Sequence, residues 1–129
     1  MKKRDEIFLI RDAIVRLCDL PIDFSRDEDF TQEEVTSILR TIFTIKTKCT
    51  SKRWGSYTYK HCVEGISMYF RRGRGPKYCP ESLIISGMVA NGFTANGKFF
   101  NTSKMEEDLL LRIDDKITGT CKAWRRSTS

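Results

Sequence analysis

The stretch from Lys46 to Lys77 combines the residue types that bind polyanions. It holds nine Lys and Arg residues and one acid, Glu64, for a net charge of +8 in a chain whose total charge is +6. Clustered positive charge attracts phosphate groups and releases their counterions, and aromatic rings stack on unpaired bases. Five aromatic residues are interleaved with the basic ones: Trp54, Tyr57, Tyr59, Tyr69 and Phe70. This composition predicts a nucleic-acid-binding site, either for DNA or for RNA.

Individual positions in this stretch have separate predicted roles. The predicted phosphate contacts are Lys60, Arg71, Arg72, Arg74 and Lys77, with Lys52 and Arg53 at the margin, and the predicted stacking residues are Trp54 and Tyr57. In a helix that begins near Ser56, Lys60 and Arg71 project outward together, away from an apolar face. For Trp54, packing at the start of this helix is the alternative to stacking.

The residues from Arg71 to Lys77 cannot continue a regular helix. Gly73, Gly75 and Pro76 interrupt it, so we expect a flexible basic loop. Four charges in seven residues with no acid nearby in the sequence favour a loop that grips phosphate, and a solvated connector is the alternative. The acidic segment 19–30, DLPIDFSRDEDF, is expected to be a solvated connector.

A second chemistry suggested by the same helix is proton transfer. His61 and Glu64 are three residues apart, and Tyr57 precedes His61 by one turn, so the three could act as acid and base while Arg71 holds a phosphate. Such spacings also arise by chance on surface helices, where they form weak side-chain pairs. The chain contains no phosphate loop, no G-x-S-x-G and no H-E-x-x-H. We therefore expect a protein that is not an enzyme.

The cysteines indicate a reducing compartment. Their number is odd, five, and the N-terminal residues do not form a secretion signal, so we expect free thiols and a cytoplasmic location, or a nuclear one in a eukaryote. Cys49, Cys62 and Cys79 with His61 could ligate zinc only if this segment were not helical, because Cys62 and His61 project in different directions. We expect no metal and no cofactor. No apolar run approaches the length of a membrane span.

Periodicity and capping signals predict a mainly α fold with about five helices and one short β-hairpin. Thr31 and Glu34 form a capping box, and Ser103 and Glu106 form a second one. The dipeptide Asn96-Gly97 is a strong hairpin signal. The predicted helices cover residues 4–18, 32 to about 43–46, 56–70, Pro80 to Gly92 and 104 to Gly119. We expect one domain over residues 1–129, with a loose basic tail from about residue 119 that includes Trp124.

The third helix, the loop, the fourth helix and the hairpin together resemble the order of a winged helix. A recognition helix reads base edges with Arg, Lys, Asn or Gln. The fourth helix offers Ser82, Leu83, Ser86 and Ala90 instead, and we expect its serines and alanine to form a groove for another helix. Modest sequence specificity follows from contacts that are made mainly to phosphate.

A different class of function is also compatible with the sequence. A small basic helical domain can act as an interaction module or inhibitor that binds an acidic protein surface, as small proteins of phages and mobile elements do. Phe8 and Val15, seven residues apart on the first helix, either extend the core or face a partner chain. Salt dependence separates the two classes, because phosphate binding weakens steeply as salt rises.

Overall fold

The computed structural model describes residues 3–72 and 74–117. Within them, five helices and one small antiparallel sheet confirm the predicted mainly α fold with a short hairpin. The helices are α1 (Lys3–Cys18), α2 (Gln32–Ile42), α3 (Ser56–Phe70), α4 (Glu81–Ala90) and α5 (Lys104–Ile117). The strands are β1 (Lys46–Ser51), β2 (Ala95–Asn96) and β3 (Phe99–Thr102). The predicted terminator Gly119, Cys121 and the tail with Trp124 lie outside the described residues.

Helix α1 buries one face and leaves the opposite face in solvent. Ile10, Ala13 and Leu17 belong to the core, which extends through residues of all five helices. Phe8 and Val15 are exposed, so they do not extend the core. Ile7 and Cys18 have the helical spacing of the core residues Ile10 and Leu17, but both are exposed.

The start of helix α2 confirms the predicted capping box. The Thr31 hydroxyl accepts a hydrogen bond from the Glu34 amide at 3.2 Å, and the Glu34 carboxylate accepts one from the Thr31 amide at 2.9 Å. Phe30 and Val35, the predicted pair on either side of the cap, are both buried. The helix ends at Ile42, where Phe43 turns into an extended conformation.

The sheet contains the predicted hairpin and one strand that the sequence did not reveal. Strands β2 and β3 pair antiparallel with Asn96 opposite Phe99, so the hairpin is present but its two turn residues are Gly97 and Lys98 rather than the predicted Asn96-Gly97. Gly97 has a positive φ of 62°, which suits the first position of such a turn. Strand β1 pairs antiparallel with β3 on its other side, which gives the order β1-β3-β2. Strand β1 reads KTKCTS and has no alternation of apolar and polar residues, so its pairing depends on a partner fifty residues away.

Helices α3 and α4 begin and end near the predicted positions. Gly55, rather than the predicted Ser56, is the N-cap of α3, and the Ser56 hydroxyl instead donates to Glu81 of α4 at 2.6 Å. Gly92 has the left-handed φ of 91° predicted for the terminator of α4. The predicted groove of Ser82, Ser86 and Ala90 does not hold another helix, since all three residues are exposed.

Helix α5 packs through Leu110 and Ile113, as predicted, but Met105 is exposed rather than buried. The Glu106 amide binds the Ser103 hydroxyl, and the Glu106 carboxylate accepts hydrogen bonds from the Thr44 and Ile45 amides at 2.9 and 3.0 Å. The first turn of α5 thereby fixes the segment between α2 and β1. No helix in the described ranges has the length and apolar character needed to span a membrane.

Candidate nucleic-acid interface

The predicted binding residues lie at the two ends of helix α3 rather than in one patch. Fifteen residues of α-helix extend about 22 Å. The residues Lys52, Arg53, Trp54 and Tyr57 lie at the start of α3, and the residues Arg71, Arg72, Arg74 and Lys77 follow its end. Lys60 lies between them, one turn into the helix. The two ends have different surroundings and are described separately.

Arg71 is buried at the end of α3 and is only 6% exposed. Its guanidinium donates to the carbonyl oxygens of Phe24, Arg26 and Gly75 at 2.8, 2.6 and 2.9 Å, and to the Asp27 carboxylate at 2.8 Å. The predicted outward position of Arg71 is therefore wrong. The helical projection took account only of the residues of α3. It could not show that the acidic segment 19–30 folds over this side of the helix and covers Arg71.

Lys77 is also part of the fold, with 3% of its surface exposed. Its ammonium donates to the carbonyl oxygens of Arg26 and Glu28 at 3.0 and 2.5 Å and lies 5.6 Å from the centre of the Phe30 ring. The sequence had predicted that Lys77 belongs to an exposed basic loop. Lys77 is buried, so this prediction is wrong. The acidic segment 19–30 is likewise not a merely solvated connector, because it supplies the acceptors for Arg71 and Lys77.

The remaining basic residues at this end, Arg72 and Arg74, are exposed, as predicted. Arg74 donates to the Ser25 carbonyl oxygen at 3.0 Å, so it too lies against the acidic segment. The hydrogen bond and charge of Arg71 lower the pKa of Asp27, and Arg74 and Lys77 contribute to the same effect. Acids and bases are therefore mixed at the end of α3, contrary to the expectation that no acid lies near the loop.

The middle of α3 carries a cluster of polar and aromatic side chains. The Lys60 ammonium pairs with Glu64 at 3.2 Å and lies near the rings of Tyr57 and Tyr78, 5.9 and 5.3 Å from their centres. Lys60 is mostly buried, with 14% of its side chain exposed, whereas Tyr57 is 58% exposed. Lys60 was predicted to project outward, and this prediction is correct only in part because little of its side chain is exposed. Its charge is already paired with Glu64.

The acid–base pair suggested by the sequence is present but is committed to other contacts. The distance between His61 Nδ1 and Glu64 Oε1 is 3.6 Å. Glu64 also accepts a hydrogen bond from the Cys79 amide at 3.0 Å, in addition to the Lys60 pair. A carboxylate with these partners holds α3 to the chain segment before α4, and this role accounts for its burial.

The start of α3 adjoins the hairpin, and both carry exposed basic residues. The Ser56 amide donates to the Lys98 carbonyl oxygen at 2.8 Å, and Ser51 pairs with Phe100, so residues 52–56 run beside the hairpin turn. We call the exposed residues here the sheet-end surface: Lys48, Lys52, Arg53, Trp54, Tyr57 and Lys98. Four of them were predicted, and Lys48 and Lys98 were missed although the Asn-Gly turn places Lys98 at a hairpin tip.

The charges of the sheet-end surface are largely free of acids. Within the described ranges, no acid forms an ion pair with Lys48, Lys52 or Lys98, and Arg53 pairs with Asp108 at 2.9 Å with both side chains 41% exposed. The Lys98 ammonium lies 5.6 Å from the centre of the Phe99 ring. Trp54 is 37% exposed, so part of the residue is open to solvent and the rest is covered by the protein. Basic and aromatic groups thus share one exposed surface.

Among the cysteines of the described residues, Cys18 and Cys49 are exposed, and Cys62 and Cys79 are buried. Burial and the charge of Glu64 raise the pKa of the Cys79 thiol to about 12. In residues 3–72 and 74–117, no three His, Cys, Asp or Glu side chains are grouped as metal ligands. Cys62 and Cys79 belong to the core, where they pack as small side chains.

A cleft between α1, the end of α2 and α5 is a second feature of the surface. Its volume is about 410 Å³, and its apolar lining includes Leu9, Ile42, Ile45, Met105 and Leu109. Glu6 and Arg112 pair at its edge at 2.5 Å. An apolar cleft with a charged edge suits a hydrophobic side chain of a protein partner better than a nucleic-acid backbone.

The order α3, α4, β2 and β3 retains the helix–helix–hairpin arrangement that the sequence suggested. The exposed residues of α4 include Ser82, Ser86 and Val89, and its one charged residue is Glu81. Comparison with protein-family models, with curated proteins and with solved structures finds no match for this chain.

Proposed function

We propose that this protein binds nucleic acid through the sheet-end surface, without catalysis, in the cytoplasm or nucleus of its cell. The observation that supports this proposal is the concentration of exposed lysines lacking acid partners around Lys48, Lys52 and Lys98, next to the exposed rings of Trp54 and Tyr57. Such a surface offers both the charge that phosphates need and the rings on which unpaired bases stack.

The sheet-end surface suits contacts to the backbone of the nucleic acid better than contacts to base edges. Lysine is a compact charge on a flexible stem, which neutralises phosphate without a fixed geometry. Helix α4 has no Arg, Lys, Gln or interior Asn with which to form paired hydrogen bonds to bases. We therefore propose binding with modest sequence specificity, in which Arg72 and Arg74 at the other end of α3 have a minor part.

Fluorescence anisotropy with labelled single-stranded and duplex DNA and RNA tests this proposal. The variant Lys48→Ala/Lys52→Ala/Lys98→Ala removes three charges from the sheet-end surface, and Arg72→Ala/Arg74→Ala/Lys104→Ala removes three exposed charges elsewhere. We expect the first variant to reduce the slope of log affinity against log salt by about three, and the control to leave it nearly unchanged. Equal losses in both variants, or no binding by the parent at low salt, would contradict the proposal.

The cleft beside α5 favours a second candidate, an interaction module or inhibitor that binds a protein. Ile45 and Met105 line this cleft and are both exposed. A partner with an apolar anchor would match the apolar part of the cleft, whose charged lining residues are three acids and two arginines. Acidic flanks of the partner would match the positive charge of the chain outside the cleft. In that case Met105→Asp abolishes binding to the partner, and the lysine variant changes mainly its salt dependence.

A further inference from the structure

The outward face of helix α1 carries two large apolar side chains with no neighbour to cover them. Phe8 is 71% exposed and Val15 is 58% exposed, and Phe8 is the most exposed large hydrophobic residue in the described part of the chain. At about 100° per residue they lie opposite the core residues Ile10, Ala13 and Leu17. A spacing of seven residues keeps them in one line along a helix, as in coiled coils.

Charged residues form two rows beside this line, one of each sign. Arg4 and Arg11 lie about 40° to 60° to one side of Phe8, and Asp5 and Asp12 lie at about the same angles on the other side. All four are exposed, and Asp12 also pairs with Arg16 of the same helix at 3.2 Å. This exposed pair is weak, so Asp12 can exchange Arg16 for a basic residue of a second helix. The rows arise because the dipeptide Arg-Asp recurs after seven residues, at positions 4–5 and 11–12.

We propose that this face pairs α1 with α1 of a second copy of the chain, with the two helices parallel. A twofold axis along a parallel pair brings the basic row of each helix against the acidic row of the other. In an antiparallel pair, the basic rows would face each other and so would the acidic rows. The face is thus complementary to itself in one orientation and repulsive in the other.

The size of the face limits how stable this dimer is. Helix α1 has 16 residues and extends about 24 Å, so it supplies two heptads of contact. An interface formed by this helix alone is at the small end of specific protein interfaces. We therefore expect a reversible dimer whose population rises with protein concentration.

Charge reversal in the full-length chain tests the pairing. The variants Asp5→Arg/Asp12→Arg and Arg4→Asp/Arg11→Asp each make both rows of one sign, so each alone should be monomeric in sedimentation velocity experiments. An equimolar mixture should recover a dimer, because one all-basic helix meets one all-acidic helix. Circular dichroism melting of each variant controls for folding. A parent that stays monomeric up to about 1 mM, or a mixture that does not associate, overturns the proposal.

Cross-linking tests the orientation independently. In a background with Cys18, Cys49 and Cys121 replaced by Ser, Val15→Cys places two thiols at the same height in a parallel pair and far apart in an antiparallel pair. We expect mild oxidation to give a covalent dimer of this variant and none of Val89→Cys, which is a matched exposed apolar position on α4. Equal cross-linking of both variants, or none of Val15→Cys, contradicts the parallel arrangement.

Discussion

Arg71 connects three segments of the chain through one side chain. Its guanidinium holds the carbonyl oxygens of Phe24 and Arg26 in the acidic segment and that of Gly75 in the loop after α3. Backbone carbonyls that lose a buried donor remain without a partner, and such groups are costly to bury. Arg71 is therefore a structural residue even though its sequence neighbours look like a phosphate-binding loop.

The first prediction concerns the stability of the Arg71→Ala variant. We expect its free energy of unfolding to fall by about 2–4 kcal/mol, because several buried acceptors lose their donor together. Arg72→Ala, an exposed neighbour, serves as the control and should change stability by less than about 0.5 kcal/mol. Urea denaturation followed by circular dichroism measures both. Similar stability of the two variants would show that the hydrogen bonds of Arg71 contribute little.

Tyr59 and Glu107 form a buried pair whose stability contribution depends on pH. Burial, and then the hydrogen bond that the hydroxyl donates to Glu107, raises the pKa of Tyr59 above its usual value. A raised pKa means that the pair stabilises the fold fully below the unfolded-state pKa of about 10 and progressively less above it. The hydroxyl also lies 3.1 Å from Thr102 Oγ1, so α3, β3 and α5 meet at this group.

The second prediction is an alkaline loss of stability that Tyr59→Phe removes. The parent should lose stability between about pH 9 and pH 11 as the tyrosine ionises in the unfolded chain. The variant lacks this ionisation, so the difference in unfolding free energy between parent and variant should shrink over that range. Denaturant titrations at intervals of pH measure the difference. A gap that widens with rising pH would mean that the hydroxyl ionises more easily in the folded protein.

The helical projection of α3 identified the exposed Tyr57 but misplaced Arg71, and the physical reason is general. Periodicity reports which residues share a face of one helix, and it carries no information about a distant segment that covers the face. The acidic segment 19–30 is such a segment, since it is more than forty residues from Arg71 in the sequence. Arg53, Trp54 and Lys52 were found because they lie in an exposed connection, where local composition suffices.

At the scale of elements, helices α2 and α4 approach each other closely at Gly87. A β-carbon added there would lie 3.0 Å from Leu39 Cδ1 and 3.2 Å from Thr36 Oγ1. Contacts this short require Leu39 and Thr36 to move inside the core. Alanine ordinarily stabilises a helix by about 1 kcal/mol relative to glycine, whereas overpacking costs about 1–3 kcal/mol.

The third prediction follows from these opposing effects. We expect Gly87→Ala to lower the melting temperature, with a net loss of about 1 kcal/mol in the free energy of unfolding. The added β-carbon would also lie 3.4 Å from the Thr36 Cα, and this backbone atom can move only if α2 moves. Ser86→Ala, on the exposed side of the same helix, should be neutral or slightly stabilising. Thermal unfolding followed by circular dichroism compares them. A more stable Gly87→Ala variant would indicate that α2 and α4 separate without cost.

The elements that were predicted from the sequence are marked by nearby residues, such as a helix cap or a turn dipeptide. Strand β1 has no such local mark. The capping box of α2 and the Asn-Gly turn specify their structures within a few residues. Strand β1 is polar, and its place at the sheet edge is fixed by pairing with β3 and by the hydrogen bond from the Ser51 hydroxyl to Glu107 at 2.7 Å. Strand preference of this kind depends on tertiary context, so local sequence does not predict it.

At the scale of the whole molecule, the proposed binding of nucleic acid depends more on where the charges lie than on the net charge. The acids of segment 19–30 neutralise the basic residues at the end of α3, and the sheet-end surface keeps its lysines unpaired at the other end. Within the described residues, charge is thus distributed unevenly, and the unpaired lysines create a local positive field at the sheet-end surface. Nucleic acid approaching this field is expected to meet the sheet-end surface first.

The last prediction concerns the kind of nucleic acid bound and its salt dependence. Lys48, Lys52 and Lys98, with Arg53 when it leaves Asp108, offer three to four phosphate contacts. The slope of log affinity against log salt should then be about −3 on duplexes and somewhat shallower on single strands. Duplexes of equal length and unrelated sequence should bind within about threefold of one another, because α4 presents no base-reading side chains.

Trp54→Ala separates stacking from charge in the same assay. If the ring stacks on unpaired bases, this variant loses about 1–3 kcal/mol of affinity for single strands and much less for duplexes, with an unchanged salt slope. The Tyr69→Ala variant, which removes an exposed ring at the other end of α3, is the matched control. A strong preference for one duplex sequence would show instead that side chains reach base edges. That result would contradict binding that depends mainly on phosphate contacts.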